Sequence, residues 1–297
     1  MEILSMARFM KNMRERWHVG LVLTAFVTSA SAQTAEPINA GPYVPTPTVI
    51  VTELLKLAEI KKNDFVIDLG SGDGRLVITA AKQFGARGLG IDYQDHLVKL
   101  ANDNAQKEGV GDRVNFIQGD LFKASLKDAT VITLYLMPGT VVKLVPKFLE
   151  ELRPGTRIVS HDYPLAPWQH ERVEQFDFEE KVKISGTTRT VLYRYIIPAK
   201  IEGDWDVRLP ATLSQQPGRF SFKRDPALKV RGTALIGGRS VGLDDIEVRG
   251  EAFSARVQDF RPGGERINLR GTVAGDAISG TVEIAGKPTP WSASLRR

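Results

Sequence analysis

The 297-residue chain contains no cysteine. A disulfide framework, a thiolate nucleophile, a cysteine-ligated zinc and a cysteinyl iron–sulfur cluster are therefore excluded. Histidine is scarce: four residues, one of them His18 near the amino terminus, leave little for a histidine-rich metal site, and no metal is expected. Long apolar runs are also lacking. Val19–Val27 falls well short of the ~20 residues that cross a bilayer as a helix. Nor does one sign of charge prevail: 40 Lys and Arg stand against 35 Asp and Glu, a net charge of +5. Residues 33–198 carry 20 basic and 21 acidic side chains, and residues 199–297 carry 16 and 12. Neither stretch has the clustered positive footprint of a nucleic-acid binder, so no nucleic-acid partner is expected. What is present, 42% hydrophobic and 25% charged residues with 27 Gly and 16 Pro, is a globular composition at a length that suits two domains.

Arg8–Arg16 is basic, Val19–Val27 is apolar, and Ala30-Ser31-Ala32 has the small residues of a cleavage site. The three regions in this order predict a signal peptide, Met1–Ala32, and export to the periplasm of a bacterial-type cell. An uncleaved segment holding the chain to the inner membrane and a mitochondrial presequence are the alternatives.

Residues 33–198 form one predicted domain. A Pro-rich lead-in containing Pro42-Tyr-Val-Pro-Thr-Pro47 precedes an amphipathic helix over Val49–Glu59. Predicted strands then alternate with helices: strand Asp64–Leu69, helix Leu76–Phe84, strand Gly88–Ile91, helix His96–Glu108, strands Val114–Gln118 and Ala129–Leu134, helix Val141–Leu152 and strand Arg157–Ser160. Phe176–Ser185 and Arg189–Ile197 read as a closing hairpin with no helix between its strands. The expectation is α/β: a Rossmann-like, mostly parallel sheet with a reversed terminal strand. Residues 199–297 lack a helical period. Eight short strand-like runs, Trp205–Leu209, Arg219–Lys223, Leu228–Ile236, Asp245–Val248, Ala252–Gln258, Arg266–Val273, Ala277–Ile284 and Trp291–Leu295, predict a small all-β domain, either barrel or sandwich.

The strongest local signal is Val66-Ile-Asp-Leu-Gly-Ser-Gly-Asp-Gly-Arg75, where a buried strand feeds Gly70-x-Gly72-x-Gly74 and a helix start. Glycine at these turn positions lets backbone approach a ligand closely, and the helix start offers free N–H groups. The spacing is neither the dinucleotide Gly-x-Gly-x-x-Gly nor a phosphate loop. Asp92 ends the next predicted strand, where a carboxylate can accept both hydroxyls of a ribose.

The segment resembles the first motif of the class I S-adenosylmethionine-dependent methyltransferases. The resemblance covers roughly Tyr43 to Pro198. It implies S-adenosyl-L-methionine as cofactor, Asp92 on its ribose, Asp120 of Gly119-Asp120-Leu121 on its adenine amino group, Asp68 on its methionine amino group, and Leu134-Tyr-Leu-Met-Pro138 near the acceptor. With Pro154-Gly-Thr-Arg157, Ser160-His161 and Trp168, the chain resembles the branch containing small mitochondrial protein-lysine methyltransferases and their bacterial relatives. That branch folds the segment holding Tyr43 and Thr46 over the cofactor carboxylate. The cofactor set is then Tyr43, Thr46, Asp68, Gly70, Gly72, Gly74, Asp92 and Asp120. The catalytic candidates are Tyr135, which can orient an amine and stabilise a methylammonium by cation–π attraction, and His161 and Asp162, which can take a proton or line the entrance. Asp73 is either a helix cap or a cofactor contact.

These observations predict S-adenosylmethionine-dependent methyl transfer, with a protein lysine among the acceptors and a protein at the cell envelope, close to the membrane, as the partner. An exported, non-catalytic binding protein that keeps the fold is the alternative. The glycine spacing argues against a third reading, a nicotinamide oxidoreductase. The β domain either holds a substrate or membrane-facing partner near the pocket or covers a sheet edge and mediates assembly.

Overall fold

A computed structural model describes residues 43–258, 264 and 266–297. The predicted signal peptide, Met1–Ala32, lies outside the described residues, and the proline-rich lead-in is described only from Tyr43.

The first elements are α1 (Thr48–Leu57), β1 (Phe65–Leu69), α2 (Arg75–Phe84), β2 (Arg87–Asp92), α3 (Asp95–Lys107), β3 (Val114–Gln118), β4 (Val131–Leu134), α4 (Pro138–Glu151), β5 (Arg157–His161), β6 (Arg172–Asp177), α5 (Glu179–Ser185) and β7 (Arg189–Ile196). Their strands form one seven-stranded sheet in the order β3-β2-β1-β4-β5-β7-β6. The first five strands are parallel, and β7 runs antiparallel to both β5 and β6. The largely apolar character of β1 and β4 follows from burial on both faces. Val66, Val131 and Val159 meet Leu54, Leu55 and Leu76 on one side of the sheet, while Ile67, Ile132 and Ile158 meet Val141, Leu144 and Phe148 on the other. Each such side chain contributes about 1.5–3 kcal/mol on leaving water. Helix α2 starts behind Gly74 and is closed by Gly85, both in the left-handed region. Asp95 opens α3 and Lys107 ends it, in the order the helix dipole favours.

The closing hairpin differs from the expectation. Of Phe176–Ser185 only Phe176 and Asp177 are strand. Its edge strand β6 starts earlier, at Arg172, and Glu179–Ser185 forms helix α5. Glu179 and Glu180 occupy the first turn of that helix, Lys183 lies near its end, and Gly186 caps it in the left-handed region, so its end charges and cap all favour a helix. The reversed strand β7 consequently lies one place in from the sheet edge.

The remaining strands are β8 (Gly203–Arg208), β9 (Gly218–Arg224), β10 (Val230–Ile236), β11 (Arg239–Arg249), β12 (Ala252–Gln258), β13 (Arg266–Ala274), β14 (Ala277–Ile284) and β15 (Lys287–Leu295). They close into an antiparallel barrel in which β15 pairs with β8, deciding between barrel and sandwich. Alternate residues point inward, and Trp205, Phe220, Phe222, Phe253 and Trp291 fill the interior with Val207, Val257, Leu269 and Ile278. Trp291 donates its indole N–H to the carbonyls of Arg270 and Thr281, and Trp205 donates to Ile201.

The barrel joins the sheet near the start of β5 and the end of β7. The Ala199 N–H donates to the Gly250 carbonyl at 2.7 Å, and a side chain at Gly250 would stand 3.3 Å from the Cα of Gly155. Arg249 pairs with Glu171 at 2.5 Å, and Glu171 also pairs with the buried Arg194. Gly155 lies two residues before β5, so this junction is at the amino ends of the parallel strands.

Candidate active site

The strand order reverses between β1 and β4, whose successors β2 and β5 lie on opposite sides. Helices leaving adjacent strands in opposite directions open a crevice beyond the carboxyl ends, where ligands bind in sheets of this kind. A cleft lies there. Tyr43, Thr46, Asp68, Gly70, Gly72, Asp92, Asp120 and Tyr135, all expected at the site, line it. So do Ser71, Asp73, Arg75, Tyr93, Gln94 and Leu136.

Asp68 is 2% exposed and accepts one side-chain hydrogen bond, from the Thr133 hydroxyl at 2.7 Å. Burial pushes its carboxyl up to about 7, and the charges of Asp92 and Asp73 add to the rise while the Thr133 bond opposes it. Asp92 accepts the Gly72 N–H at 2.8 Å on one oxygen and the Gln94 N–H at 2.9 Å on the other. It therefore ties the glycine turn to β2 and keeps lone pairs for a ligand. Asp120 accepts the Phe122 N–H at 2.9 Å, which fixes the loop after β3.

The arm before α1 is held over the turn by Arg75. Its guanidinium donates to the Thr46 carbonyl at 2.6 Å and makes two bonds to Asp73, at 2.8 and 2.6 Å. Asp73 also accepts the Arg75 N–H, so it serves the helix start and the arm together. Although burial pushes Asp73 up, the Arg75 bonds and charge hold its carboxyl below the ordinary value. The Tyr43 ring lies so close to Gly72, at φ +54°, that a side chain there would stand 2.5 Å from it.

Three expected residues are placed differently. Gly74 does not line the cleft. A side chain on it would point at Phe116, 2.6 Å away, and at Ala101, so its smallness serves helix packing. His161 is fully buried behind Tyr135, with ring centroids 3.9 Å apart, and neither ring nitrogen has a hydrogen-bond partner. Burial lowers it to about 4, so the imidazole is neutral. Asp162 follows it at φ 62° and accepts two bonds from the Lys181 ammonium, at 2.8 and 2.6 Å. Both oxygens of that carboxylate are thus occupied, and neither residue lines the cleft. Tyr135 itself is raised, first by burial and then by the Asp162 charge, and remains a protonated phenol.

Lys181 was not foreseen, because its segment reads as strand and nothing in sequence links it to Asp162. Ser71, inside the glycine motif, keeps a buried hydroxyl oxygen without a partner.

A protein family described as the ANTKMT methyltransferase domain matches residues 68–172. A protein-lysine N-methyltransferase of Saccharolobus islandicus is 36% identical over 157 residues, covering 52% of this chain and 93% of that protein. The adenine nucleotide translocase lysine N-methyltransferase of Mus musculus is 38% identical over 129 residues, covering 43% of this chain and only 56% of that protein. A crystal structure described as an RNA methyltransferase from Salinibacter ruber, in complex with S-adenosyl-L-homocysteine, is 47% identical, covers 53% of this chain and 96% of that chain, and has a TM-score of 0.48. The sheet and its cleft belong to an S-adenosylmethionine-dependent methyltransferase. The chain is a member of class I of these enzymes, in the family that includes the protein-lysine methyltransferases just named.

The residues present fit S-adenosylmethionine. A buried carboxylate suits its ammonium, a carboxylate at the end of β2 suits its vicinal hydroxyls, and one after β3 suits its exocyclic amine. The unpartnered Ser71 oxygen lies in the same wall.

Proposed function

We propose that this methyltransferase modifies the side-chain amine of a protein lysine. The observation that carries the reading is the acceptor end of the cleft. Tyr135 faces it, a neutral His161 backs the Tyr135 ring, and the nearest carboxylate behind them, Asp162, is neutralised by Lys181. An amine must lose a proton before it can act as a nucleophile. A wall that offers no free carboxylate does not hold the amine as ammonium, and an aromatic face stabilises the methylated cation that forms. Asp68, Asp92, Asp120 and the Tyr43–Thr46 arm would hold the donor. Bound there, it supplies an electrophilic sulfonium methyl and leaves as a thioether. The chain contributes alignment and exclusion of water, and the proton left on the acceptor nitrogen passes to solvent. The lysine modifications named for the archaeal and mouse relatives support the same acceptor class.

Labelled methyl transfer to protein and RNA fractions tests this, followed by hydrolysis and identification of the labelled residue. Methyl-lysine in protein is the expected product. Label in RNA or in another residue refutes the lysine acceptor. Tight S-adenosylhomocysteine binding without any transfer favours the non-catalytic binding protein instead.

The Arg8–Ala32 pattern supports a further proposal, that the chain is exported and meets its acceptor at the cell envelope. Among the described residues no helix is long and apolar enough to cross a membrane. Fractionation of cells expressing the full chain tests export: recovery of the processed protein in the periplasm supports it, and an unprocessed cytoplasmic protein overturns it.

A further inference from the structure

The least economical feature near the cleft is a buried lysine. Lys181 is 2% exposed, and its ammonium is fully engaged by both oxygens of Asp162 and by the Arg189 carbonyl at 2.6 Å. Burying an ion pair costs desolvation of both charges and is weak evidence for stability, so a specific role is worth seeking. The pair also holds the chain in an unusual path. Asp162 takes a left-handed conformation, its N–H donates to the Val191 carbonyl at 2.6 Å, and its carboxylate accepts the Val191 N–H at 3.1 Å. The same carboxylate approaches the His161 Nε2 at 3.6 Å, and His161 stacks on Tyr135. A continuous series of contacts thus runs from α5 to the acceptor end of the cleft.

We infer that Lys181 is a positioning residue for the acceptor site: by neutralising Asp162 it keeps His161 uncharged behind Tyr135. This rests on the lysine-acceptor reading only for its consequence in catalysis, since the charge state of His161 can be read without an acceptor.

The groups facing His161 are few. Asp162 adjoins it on the strand end, Lys181 reaches it from α5, Tyr135 covers it from the end of β4, and Tyr163, whose ring centroid is 6.4 Å from that of Tyr135, comes from the following loop. Asp162 favours the imidazolium, whereas burial and the Lys181 charge both oppose it. Removing Lys181 leaves a carboxylate with no other cation among the described residues, 3.6 Å from an imidazole whose nitrogens are unpartnered. The imidazole then takes a proton and pairs with Asp162. A positive charge behind Tyr135 repels a methylammonium forming on its other face.

The test follows the imidazole signals by NMR across pH 5.5–8.5 in the full chain, with S-adenosylhomocysteine affinity measured alongside. In the wild type His161 stays neutral through this range. In Lys181→Met its midpoint rises by about two pH units or more, the size of shift one close carboxylate imposes. Lys181→Arg restores the wild-type behaviour, and S-adenosylhomocysteine affinity is unchanged in both variants. If Lys181→Met does not fold, the double variant Lys181→Met/Asp162→Asn, which removes both charges, is compared with Asp162→Asn. His161 stays neutral in both. An unshifted His161 in a folded Lys181→Met, or a charged His161 in the double variant, overturns the inference. Failure to methylate lysine with these NMR results intact refutes the acceptor reading alone.

Discussion

Asp68 makes the stability of the ligand-free protein depend on pH in a direction opposite to that of an ordinary paired carboxylate, and it makes donor binding sensitive near neutrality. Its folded value, about 7, lies above the ordinary 3.8. Between those values the folded protein binds more protons than the unfolded chain, so the ligand-free protein loses stability as pH rises from about 4 to about 7. At 1.36 kcal/mol per unit the loss is on the order of 4 kcal/mol. A donor ammonium beside the carboxyl stabilises the ionised form and reverses this cost. Binding therefore strengthens as pH rises through 7. With a titration midpoint of 7, the ionised fraction falls about eightfold between pH 7.5 and pH 6, and affinity falls with it. Calorimetric titration with S-adenosylhomocysteine at both pH values, for wild type and Asp68→Asn, isolates the effect. The Asn variant subtracts titration of the ligand's own amine. The expected result is about eightfold weaker wild-type binding at pH 6, an additional loss missing from the variant, which binds weakly at both pH values. Equal pH dependence in the two proteins refutes the reasoning, because it means that no proton is displaced from Asp68 on binding.

Gly72→Ala places a methyl group 2.5 Å from the Tyr43 ring on a left-handed backbone, so S-adenosylhomocysteine affinity should fall by about tenfold or more. Adding Tyr43→Ala should restore part of the loss, and a neutral Gly72→Ala would mean that the arm yields freely. Tyr135→Phe keeps the ring and removes the hydroxyl, and should slow labelled methyl transfer by roughly fivefold to tenfold with donor affinity unchanged; Tyr135→Ala should slow it further. A chain ending before β8, with residues 203–297 removed, should bind S-adenosylhomocysteine within about twofold of the full chain, because the donor contacts all precede the barrel. A large loss of affinity would show that the barrel shapes the cleft.

The strand, turn and helix around Val66–Arg75 were legible because three local signals coincide: a continuous apolar run, glycines where the backbone must turn tightly, and an amphipathic helix behind them. The aligned carboxylates Asp68, Asp92 and Asp120 were legible for the same reason, since each ends or follows a readable strand. Edge strand β6 is hard to locate from sequence because Arg172, Glu174 and Asp177 mark a solvent-facing edge and dilute its alternation. Helix α5 is seven residues long and buries only Lys181, too little for a helical period. Strand β11 was recognised only over Asp245–Val248 because its register shifts between Asp244 and Glu247, which breaks the alternation. Gly74 reads as a cofactor residue in sequence because packing against Phe116 and close approach to a ligand demand the same residue. The Asp162–Lys181 pair had no local signal at all: two elements joined through β6 bring it together.

The barrel's position bears on the kind of acceptor. Among the described residues its interior is filled by aromatic and aliphatic side chains. Its junction with the sheet, at Gly155, Glu171 and Ala199, lies at the amino ends of the parallel strands, whereas Asp68, Asp92 and Tyr135 open at the carboxyl ends. The barrel is therefore not attached beside the mouth of the cleft, as holding a substrate near the pocket would require. A small acceptor that fills the cleft would not reach that junction. A protein acceptor is large enough to engage the cleft with one side chain and the barrel surface with another region, which adds affinity without altering the chemistry. This separates the two classes: if the acceptor is a protein, loss of the barrel raises KM and leaves kcat nearly unchanged, whereas for a small amine both stay as they were.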